Sequence, residues 1–141
     1  MAARQEVEKL IERLSDDKPW LETEEEATKR RCKAASALGE LGDTSAVPHL
    51  IKALADSDWH VRKYAAGALG ELGDKSAVPH LIKALSDSYD SVRRYAAEAL
   101  GELGDRSAAP GLIKALAASD WHVRRNATEA LGKLGDSNAV P

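Results

Sequence analysis

Residues 42–54 carry the segment that decides the fold, Gly-Asp-Thr-Ser-Ala-Val-Pro-His-Leu-Ile-Lys-Ala-Leu. Nearly the same segment returns 31 residues later at 73–85, returns again at 104–116, and begins once more at 135–141. A fixed period of this length is typical of stacked-repeat proteins. Because one unit is too short to bury its own apolar face, neighbouring units must stack around a continuous core. The repeat therefore predicts a protein that presents an extended surface to a partner.

Each unit has the pattern of two helices. In the first half, apolar residues recur at i, i+3, i+4 and i+7 (Val47, Leu50, Ile51, Leu54), which is one stripe of a helix over about residues 45–54. Pro48 fits the first turn of this helix, with Ser45 or a neighbour as its cap. A second helix is predicted over about residues 59–72, and Gly73 is placed to end it in the left-handed conformation.

A glycine also recurs inside the second helix, as Gly70, Gly101 and Gly132. Glycine costs a helix about 1 kcal/mol relative to alanine, so its return at one position indicates tight packing there. We therefore expect neighbouring second helices to approach each other closely.

The period divides the chain into units of one domain. They are an atypical N-terminal capping unit (1–42), three typical units (43–73, 74–104 and 105–135) and the start of a truncated unit (136–141). The first unit contains an insertion that includes Lys18-Pro19-Trp20-Leu21. Thr23 followed by Glu26 predicts a capping box at the start of its long second helix. The last unit would leave part of its second helix partly uncovered (Val123, Ala127, Leu131, Leu134). Either the chain is a piece of a longer array or another copy covers that end, and we expect self-association or lengthwise stacking through the C-terminal face.

Charge and composition exclude several classes of protein. Lys+Arg total 20 against Asp+Glu 23, so the formal charge of −3 gives no general attraction to nucleic acid or to an anionic membrane. Cys32 is the single cysteine, which makes an intramolecular disulfide impossible and favours a reducing compartment. The N-terminus lacks the apolar run of a signal peptide, and no later stretch is apolar enough to span a bilayer. We expect a soluble, cytoplasmic protein.

A resemblance to the HEAT-like repeat family is carried by residues 58–74, Asp-Trp-His-Val-Arg-Lys-Tyr-Ala-Ala-Gly-Ala-Leu-Gly-Glu-Leu-Gly-Asp, followed by Ser-Ala-Val-Pro-His-Leu-Ile-Lys-Ala-Leu at 76–85. The nearest branch has short repeats, as in phycobilisome lyase accessory proteins and artificial consensus libraries. The resemblance implies an all-α fold, an α-solenoid whose stacked antiparallel helix pairs form a right-handed superhelix with the second helices on its concave face. It also implies that each repeated arginine contacts the aspartates between units (Arg62, Arg93, Arg124; Asp43, Asp74, Asp105, Asp136).

Variation between the units points to the second helices as a binding surface. Units 43–73 and 74–104 differ at only seven positions, four of which (Trp59, His60, Lys63, Gly67) lie on one face of the second helix. The third unit varies there too. Variation on a uniform scaffold is typical of a binding surface, although any solvent-exposed face would vary in the same way.

The candidate protein-binding residues lie on this face: Trp59, His60, Lys63, Tyr64, Arg94, Tyr95, Trp121, His122, Arg125 and Asn126. Tryptophan is a good interface anchor, so Trp59 and Trp121 are candidate anchors, yet each ring would also fit packing against a neighbouring helix. The cationic side chains favour a partner that carries acidic groups.

No residue pattern predicts catalysis, a metal site or a cofactor. Equivalent histidines lie one or two units apart, too far to share an ion, and each is followed by Leu or Val (His49, His60, His80, His122). Some HEAT-like oxygenases hold iron with His-Glu dipeptides, so this activity is not expected here. Cys32 lies near Lys29 and Lys33 as a candidate reactive thiol, but a lone cysteine is more often incidental.

We therefore expect a non-catalytic scaffold that binds a protein or peptide on its concave face. Two alternatives remain open: an accessory subunit of a bilin lyase-like enzyme, and a designed or consensus scaffold without a natural partner. A nucleic-acid reader is disfavoured by the net charge.

Overall fold

The computed structural model describes residues 2–15 and 22–139 and gives side chains for 4–15 and 22–135. Within these ranges it contains eight α-helices and no strand: α1 (Ala2–Leu14), α2 (Glu24–Leu41), α3 (Val47–Ala53), α4 (Trp59–Leu72), α5 (Val78–Ala84), α6 (Asp90–Leu103), α7 (Ala109–Ala115) and α8 (Trp121–Ala139). A short 3-10 turn precedes each of α3, α5 and α7. The expected α-solenoid is confirmed, whereas the Lys18–Leu21 part of the insertion lies outside the described residues.

The stack is held together mainly by its second helices. Helices α2, α4, α6 and α8 pack against one another in chain order, and each first helix packs against the second helix of its own unit. The core is continuous along the stack, because equivalent leucines from both helices of successive units are fully buried (Leu38, Leu50, Leu69, Leu81, Leu100, Leu112). Each unit thus completes the core of its neighbour, as the repeat period predicts.

The helix starts follow the sequence with one refinement. Helix α4 has the expected bounds, Trp59–Leu72. The first helix of the 43–73 unit begins two residues later than expected, since Thr44–Ala46 forms a 3-10 turn ahead of Val47. The cap is Asp43 rather than Ser45: its side chain accepts the backbone N–H of Ser45 at 2.9 Å, and this hydrogen bond lowers the pKa of the Asp43 carboxyl.

The N-terminal unit contains the expected capping box. The backbone N–H of Glu26 donates to Oγ1 of Thr23 at 3.1 Å, and the backbone N–H of Thr23 donates to Oε1 of Glu26 at 3.2 Å. The box satisfies two donors that a helix start would otherwise leave unpaired. Helix α2 consequently starts at Glu24 and runs for 18 residues.

Glycine ends three of the four second helices. Gly42, Gly73 and Gly104 have φ of 73°, 71° and 67°, the left-handed conformation expected for a helix C-cap. Helix α8 instead continues through Gly135 to Ala139. Glycine is compatible with either backbone conformation, so the residue type alone does not end the helix.

The glycines inside the second helices do mark places where two neighbouring second helices approach each other closely, but only where another unit follows. A Cβ on Gly70 would lie 2.9 Å from Cα of Ala99 in the next second helix, and one on Gly101 equally close to Cα of Ala130. A Cβ on Gly132 would meet none of the described side chains within 4 Å. The prediction is therefore confirmed at the first two positions and wrong at Gly132, because no further unit packs there.

The expected pairing of the repeated arginines was wrong in its partners. Arg62 donates from Nε and Nη2 to the carboxylate of Asp87 at 2.8 and 3.1 Å, and Arg31 pairs in the same way with Asp56. The acceptors lie in the turn between the two helices of the next unit. The aspartates between units (Asp43, Asp74, Asp105) are engaged elsewhere, since each accepts the backbone N–H two residues on and caps a 3-10 turn.

The expected exposure along α8 was wrong at three of its four positions and confirmed at Leu131. Val123, Ala127 and Leu134 are buried and Leu131 is half-buried, because these side chains face α7 and the preceding unit. The exposed large aliphatic side chains described at this end of the stack lie on α7 and directly after it. Ile113 is 58% exposed and Leu116 is 39% exposed, whereas their equivalents in the earlier units are half-buried or buried.

Candidate functional site

Trp59 lies at the first position of α4, and its ring joins two neighbouring units. It stacks on the ring of Tyr89, which caps the start of α6, with 5.1 Å between ring centroids and 13° between ring planes. Tyr89 is 47% exposed, so the outer side of the stack faces solvent. The ring of Trp59 thus packs on a neighbouring helix start and stays half-buried, while its role as an interface anchor remains a prediction.

Lys63, one turn along α4, lies among the aromatic rings of two units. Its Nζ is 4.7 Å from the ring centroid of Tyr64, 5.5 Å from that of Tyr95 and 5.6 Å from that of Trp59. These distances are within the range of cation–π attraction. We call Trp59, Lys63, Tyr64, Tyr89 and Tyr95 the aromatic cluster.

His60, the second residue of α4, is held in place by the N-cap residue Asp58. Asp58 accepts the backbone N–H of His60 at 2.8 Å and lies 2.9 Å from its Nδ1, while the His60 ring stacks on Trp59 at 3.7 Å. Burial acts to raise the pKa of the Asp58 carboxyl, but the hydrogen bonds from His60 outweigh it and the net shift is downward. His60 thus supports the position of the Trp59 ring.

Arg94 is the equivalent of Lys63 in the next unit and places a second cation on this face. Its guanidinium lies 6.0 Å from the ring centroid of Tyr95, and its Nε is buried without a hydrogen-bond partner among the described residues. Its backbone carbonyl accepts the side-chain amide of Asn126 at 3.2 Å. Asn126 therefore ties α8 to α6 rather than presenting its amide freely.

The other expected residues of the third unit lie apart from the cluster. Trp121 is 54% exposed and contacts the ring of His122 at 3.7 Å. Among the described residues no tyrosine stacks on it, because the tyrosine that stacks on Trp59 comes from the following unit of the stack. Arg125 is paired with Glu129 on the same helix at 3.3 Å. The structure thus brings together Trp59, Lys63, Tyr64 and Tyr95 and leaves Trp121 as a separate exposed ring.

Farther along the second helices, toward their C-terminal ends, the charged side chains are carboxylates, among them Glu71, Glu98 and Glu102. Burial raises the pKa of Glu102, the neighbouring carboxylates of Glu98 and Glu71 raise it further, and Lys133 opposes them. The aromatic cluster and the cations Lys63 and Arg94 thus lie near the helix starts, which also carry Asp58 and Asp90, and the carboxylates of Glu71 and Glu102 lie near the helix ends. We call these two parts of the face the cationic half and the acidic half.

A groove of about 730 Å³ adjoins the aromatic cluster between α2 and α4. Its lining includes Cys32, Tyr64, three basic or histidine residues and three carboxylates (Lys29, Lys33, His60; Glu24, Glu25, Asp58). Burial raises the pKa of the Cys32 thiol to about 11, the charge of Asp58 adds to this, and the nearby cations only partly offset it. The thiol is thus kept neutral, which removes the electrostatic basis for a reactive cysteine.

Sequence reasoning missed Tyr89. The signal was present, since Tyr89 replaces Asp58 at one of the seven positions that differ between the first two typical units. Among the residues that the structure describes, no group of three or more His, Cys, Asp and Glu side chains is placed to hold a metal ion.

The family model for HEAT repeats matches residues 7–98 and, in a second overlapping match, 78–141. The chain belongs to the HEAT-repeat family. Two solved structures are similar over nearly the whole of this HEAT-repeat chain. The first is a chain of the complex of CpcE and CpcF of phycocyanin lyase from Nostoc sp. PCC7120, with 33% identity and a TM-score of 0.82 over 94% of this chain and 54% of that one. The second is human deoxyhypusine hydroxylase in complex with glycerol, with 26% identity and a TM-score of 0.74 over 92% of this chain and 43% of that one.

A designed armadillo repeat protein in complex with the peptide (KR)4 has the same kind of fold, with 22% identity and a TM-score of 0.70 over 91% of this chain and 64% of that one. This HEAT-repeat chain spans about half of the length of the two natural proteins above. Comparison with curated protein sequences gives no match. In the part of the chain that the structure describes, no helix is long and apolar enough to cross a membrane.

Proposed function

We propose that this HEAT-repeat chain is a non-catalytic scaffold that binds a protein or peptide on the face of its second helices. The observation that carries the proposal is the aromatic cluster. It gathers four rings and one ammonium group from two successive units, and three of these residues (Trp59, Lys63, Tyr89) lie at positions where the two units differ. Aromatic side chains are enriched at the centres of protein interfaces, where they bury a large area at little entropic cost.

The charges of the face define the partner further. Lys63 and Arg94 lie beside the rings, near the starts of α4 and α6, and the carboxylates of Glu71 and Glu102 lie near the helix ends. A segment that places acidic side chains over the cationic half would gain charge complementarity without approaching the acidic half. The proposed partner is thus a peptide segment with an aromatic or apolar anchor flanked by Asp or Glu.

The experiment selects binders from a random peptide display library on the wild-type chain and measures the affinity of a selected peptide by fluorescence anisotropy. Replacing both Trp59 and Trp121 with Ala should abolish binding. Trp59→Ala alone should weaken binding about 30-fold, the loss typical of an interface hot spot of about 2 kcal/mol. Trp121→Ala should have the smaller effect, because its ring stands outside the cluster.

His49→Ala is the matched control, because it removes an exposed ring from a first helix. It should leave affinity unchanged, and circular dichroism should show equal helicity for all variants. Selected peptides that bind the double tryptophan variant as tightly as the wild type, or a library that yields no binder, would contradict the proposal.

A second candidate is favoured by the likeness to a subunit of a two-protein lyase complex at 33% identity. In this alternative the chain is an accessory subunit of a bilin lyase-like enzyme. Mixing the chain with a bilin and recording its absorption spectrum tests the idea directly. A red or blue shift that saturates would support this role, and an unchanged spectrum would count against it.

We also infer that a second copy of the chain is one partner. Gly39, Gly70 and Gly101 each receive an alanine of the next second helix. At Gly132 no described residue occupies the equivalent place, and Ile113 and Leu116 of the same unit are exposed. At the opposite end of the stack, Ala37 occupies the place of those alanines and is only half-buried. One copy therefore has at its C-terminal end the surface that fits the N-terminal end of another.

A further inference from the structure

Two turns between helices contain a carboxylate that is held in the same way. Asp56 and Asp87 each receive two N–H groups from an arginine of the preceding unit. Each also accepts a backbone N–H two residues on, from Asp58 at 2.9 Å and from Tyr89 at 3.0 Å. Arginine and backbone amide together thus form a built carboxylate site, and bidentate pairing makes it strong and directional.

The third turn keeps the donors but lacks the carboxylate. Ala118 stands where Asp56 and Asp87 stand in the earlier units. Arg93 nevertheless holds the same pose as Arg62, because in both the Nη1 group donates to the carbonyl oxygen six residues earlier. The guanidinium is therefore already oriented toward the position that the carboxylate occupies in the other units.

The two N–H groups of the Arg93 guanidinium that would bind this carboxylate, Nε and Nη2, are only partly occupied by other acceptors. Its Nη2 pairs with Asp90 on the same helix, a side chain that is 50% exposed, and its Nε has no acceptor among the described residues. In the complete sites the paired aspartates are only 6% and 11% exposed. Because solvent screens an exposed pair, Asp90 is the weaker competitor.

Arg93 lines a groove of about 530 Å³ between α5 and α7. Lys114 is the second charged group in its lining, and Ile82 and Leu85 give it an apolar wall. Gly111 keeps this wall open, since the earlier units have His49 and His80 at that position. The corresponding groove between α1 and α3 contains the carboxylates of Glu12 and Asp56, whereas the lining of the α5–α7 groove contains two cations and no acid.

We propose that this groove binds a small monocarboxylate with a short apolar stem. The carboxylate takes the position of the missing aspartate, accepting hydrogen bonds from Nε and Nη2 of Arg93 and from the backbone N–H of Asp120. The stem lies against Ile82 and Leu85. Both ends of the ligand are needed, because an isolated exposed ion pair contributes little by itself.

The test is a ¹H–¹⁵N NMR titration of the full chain at constant ionic strength, with acetate, butyrate and hexanoate as probes. The amides of Asp120 and Gly111 should shift and saturate. Affinity should rise along the series, by up to about fourfold for each methylene that leaves water. Hexylammonium, which has the same kind of stem and the opposite charge, should give no saturable shift at these amides.

Ala118→Asp supplies a tethered carboxylate and should lower hexanoate affinity at least about tenfold, as competition by a built-in bidentate pair requires. The same variant should unfold at a higher temperature than the wild type, which shows that it remains folded. Ala55→Asp adds an equal charge at an exposed site in an earlier unit and should leave hexanoate binding unchanged. Equal hexanoate affinity in the wild type and Ala118→Asp, equal response to hexylammonium, or no saturable shift with any carboxylate would each overturn the proposal.

Discussion

Cys32 is the residue whose chemistry the fold changes most. Burial raises the pKa of its thiol to about 11 from 9.0, so at pH 8 the thiolate is about a hundredfold scarcer than at an ordinary cysteine. Alkylation by iodoacetamide should be slower by about this factor than that of a free cysteine. Its logarithmic rate should keep rising linearly with pH up to 10, where a thiol of ordinary pKa would already level off. Mass spectrometry of timed samples measures both.

The control for this pH profile is Asp58→Asn. The charge of Asp58 is the second cause of the raised pKa, after burial, and asparagine preserves the helix cap. The variant should therefore alkylate faster than the wild type at pH 8 but still more slowly than a free cysteine. A wild-type profile that bends near pH 9 would show that the thiol is more hydrated than the structure implies. The raised pKa also makes folding less favourable as pH rises from 9 to 11, because only the unfolded chain then loses the proton.

Repeat spacing predicts some side-chain neighbours and not others. Lys63, Tyr64 and Tyr95 come together because equivalent residues of adjacent second helices lie side by side. Tyr89 and Asp87 reach the preceding unit from the turn between two helices, so their partners depend on how far that turn projects. No helical period contains this information. The same limit explains why the partners of Arg62 were assigned to the wrong aspartates.

At the scale of the helices, the internal glycines allow a matched test of packing between units. Gly70→Ala places a Cβ 2.9 Å from the Cα of Ala99, and because this neighbour is backbone the two helices must separate. We expect a loss of about 1–3 kcal/mol in the free energy of unfolding. Gly132→Ala meets none of the described side chains within 4 Å inside a helix and should gain up to about 1 kcal/mol from helix propensity.

Urea unfolding followed by circular dichroism at low protein concentration measures both variants under conditions that disfavour self-association. The two substitutions are chemically identical and occupy equivalent positions, so intrinsic propensity cancels in the comparison. Only the presence of a following unit differs. Equal changes of the same sign would mean that the close approach of α4 and α6 relaxes without cost.

The apolar stripes of the sequence were sufficient to predict that each unit contains two helices. The start and end of α4 could be predicted from its cap and from Gly73. Two boundaries could not be predicted. The 3-10 turn ahead of Val47 depends on the side chain of Asp43, which competes with Ser45 for the same role. Helix α8 passes through Gly135 because a glycine permits a left-handed end without requiring it. The repeat period therefore does not predict a helix boundary where several residues could end or begin the helix equally well.

At the scale of the whole molecule, the two ends of the stack are complementary. Inside the array, the packing of a second-helix glycine against the alanine of the next unit recurs three times with the same geometry. The C-terminal end presents Gly132 and Ile113, and the N-terminal end presents Ala37 and Leu41, the latter 41% exposed although its equivalent Leu103 is buried. A contact between unlike ends repeats along one direction, so it yields growing chains rather than a closed dimer.

Size-exclusion chromatography with light scattering across a dilution series should therefore give a mass that rises with concentration without reaching a plateau at the dimer. Ile113→Glu and Leu41→Glu each place a charge on one end and should each remove this growth, because burying an unpaired carboxylate is costly. An equimolar mixture of the two variants retains one intact C-terminal end and one intact N-terminal end, and should form a dimer that cannot extend. Contact between two like ends instead predicts a wild-type dimer that only Ile113→Glu disrupts and that the mixture fails to restore. A wild-type mass equal to one chain at every concentration would show that neither end binds a second copy.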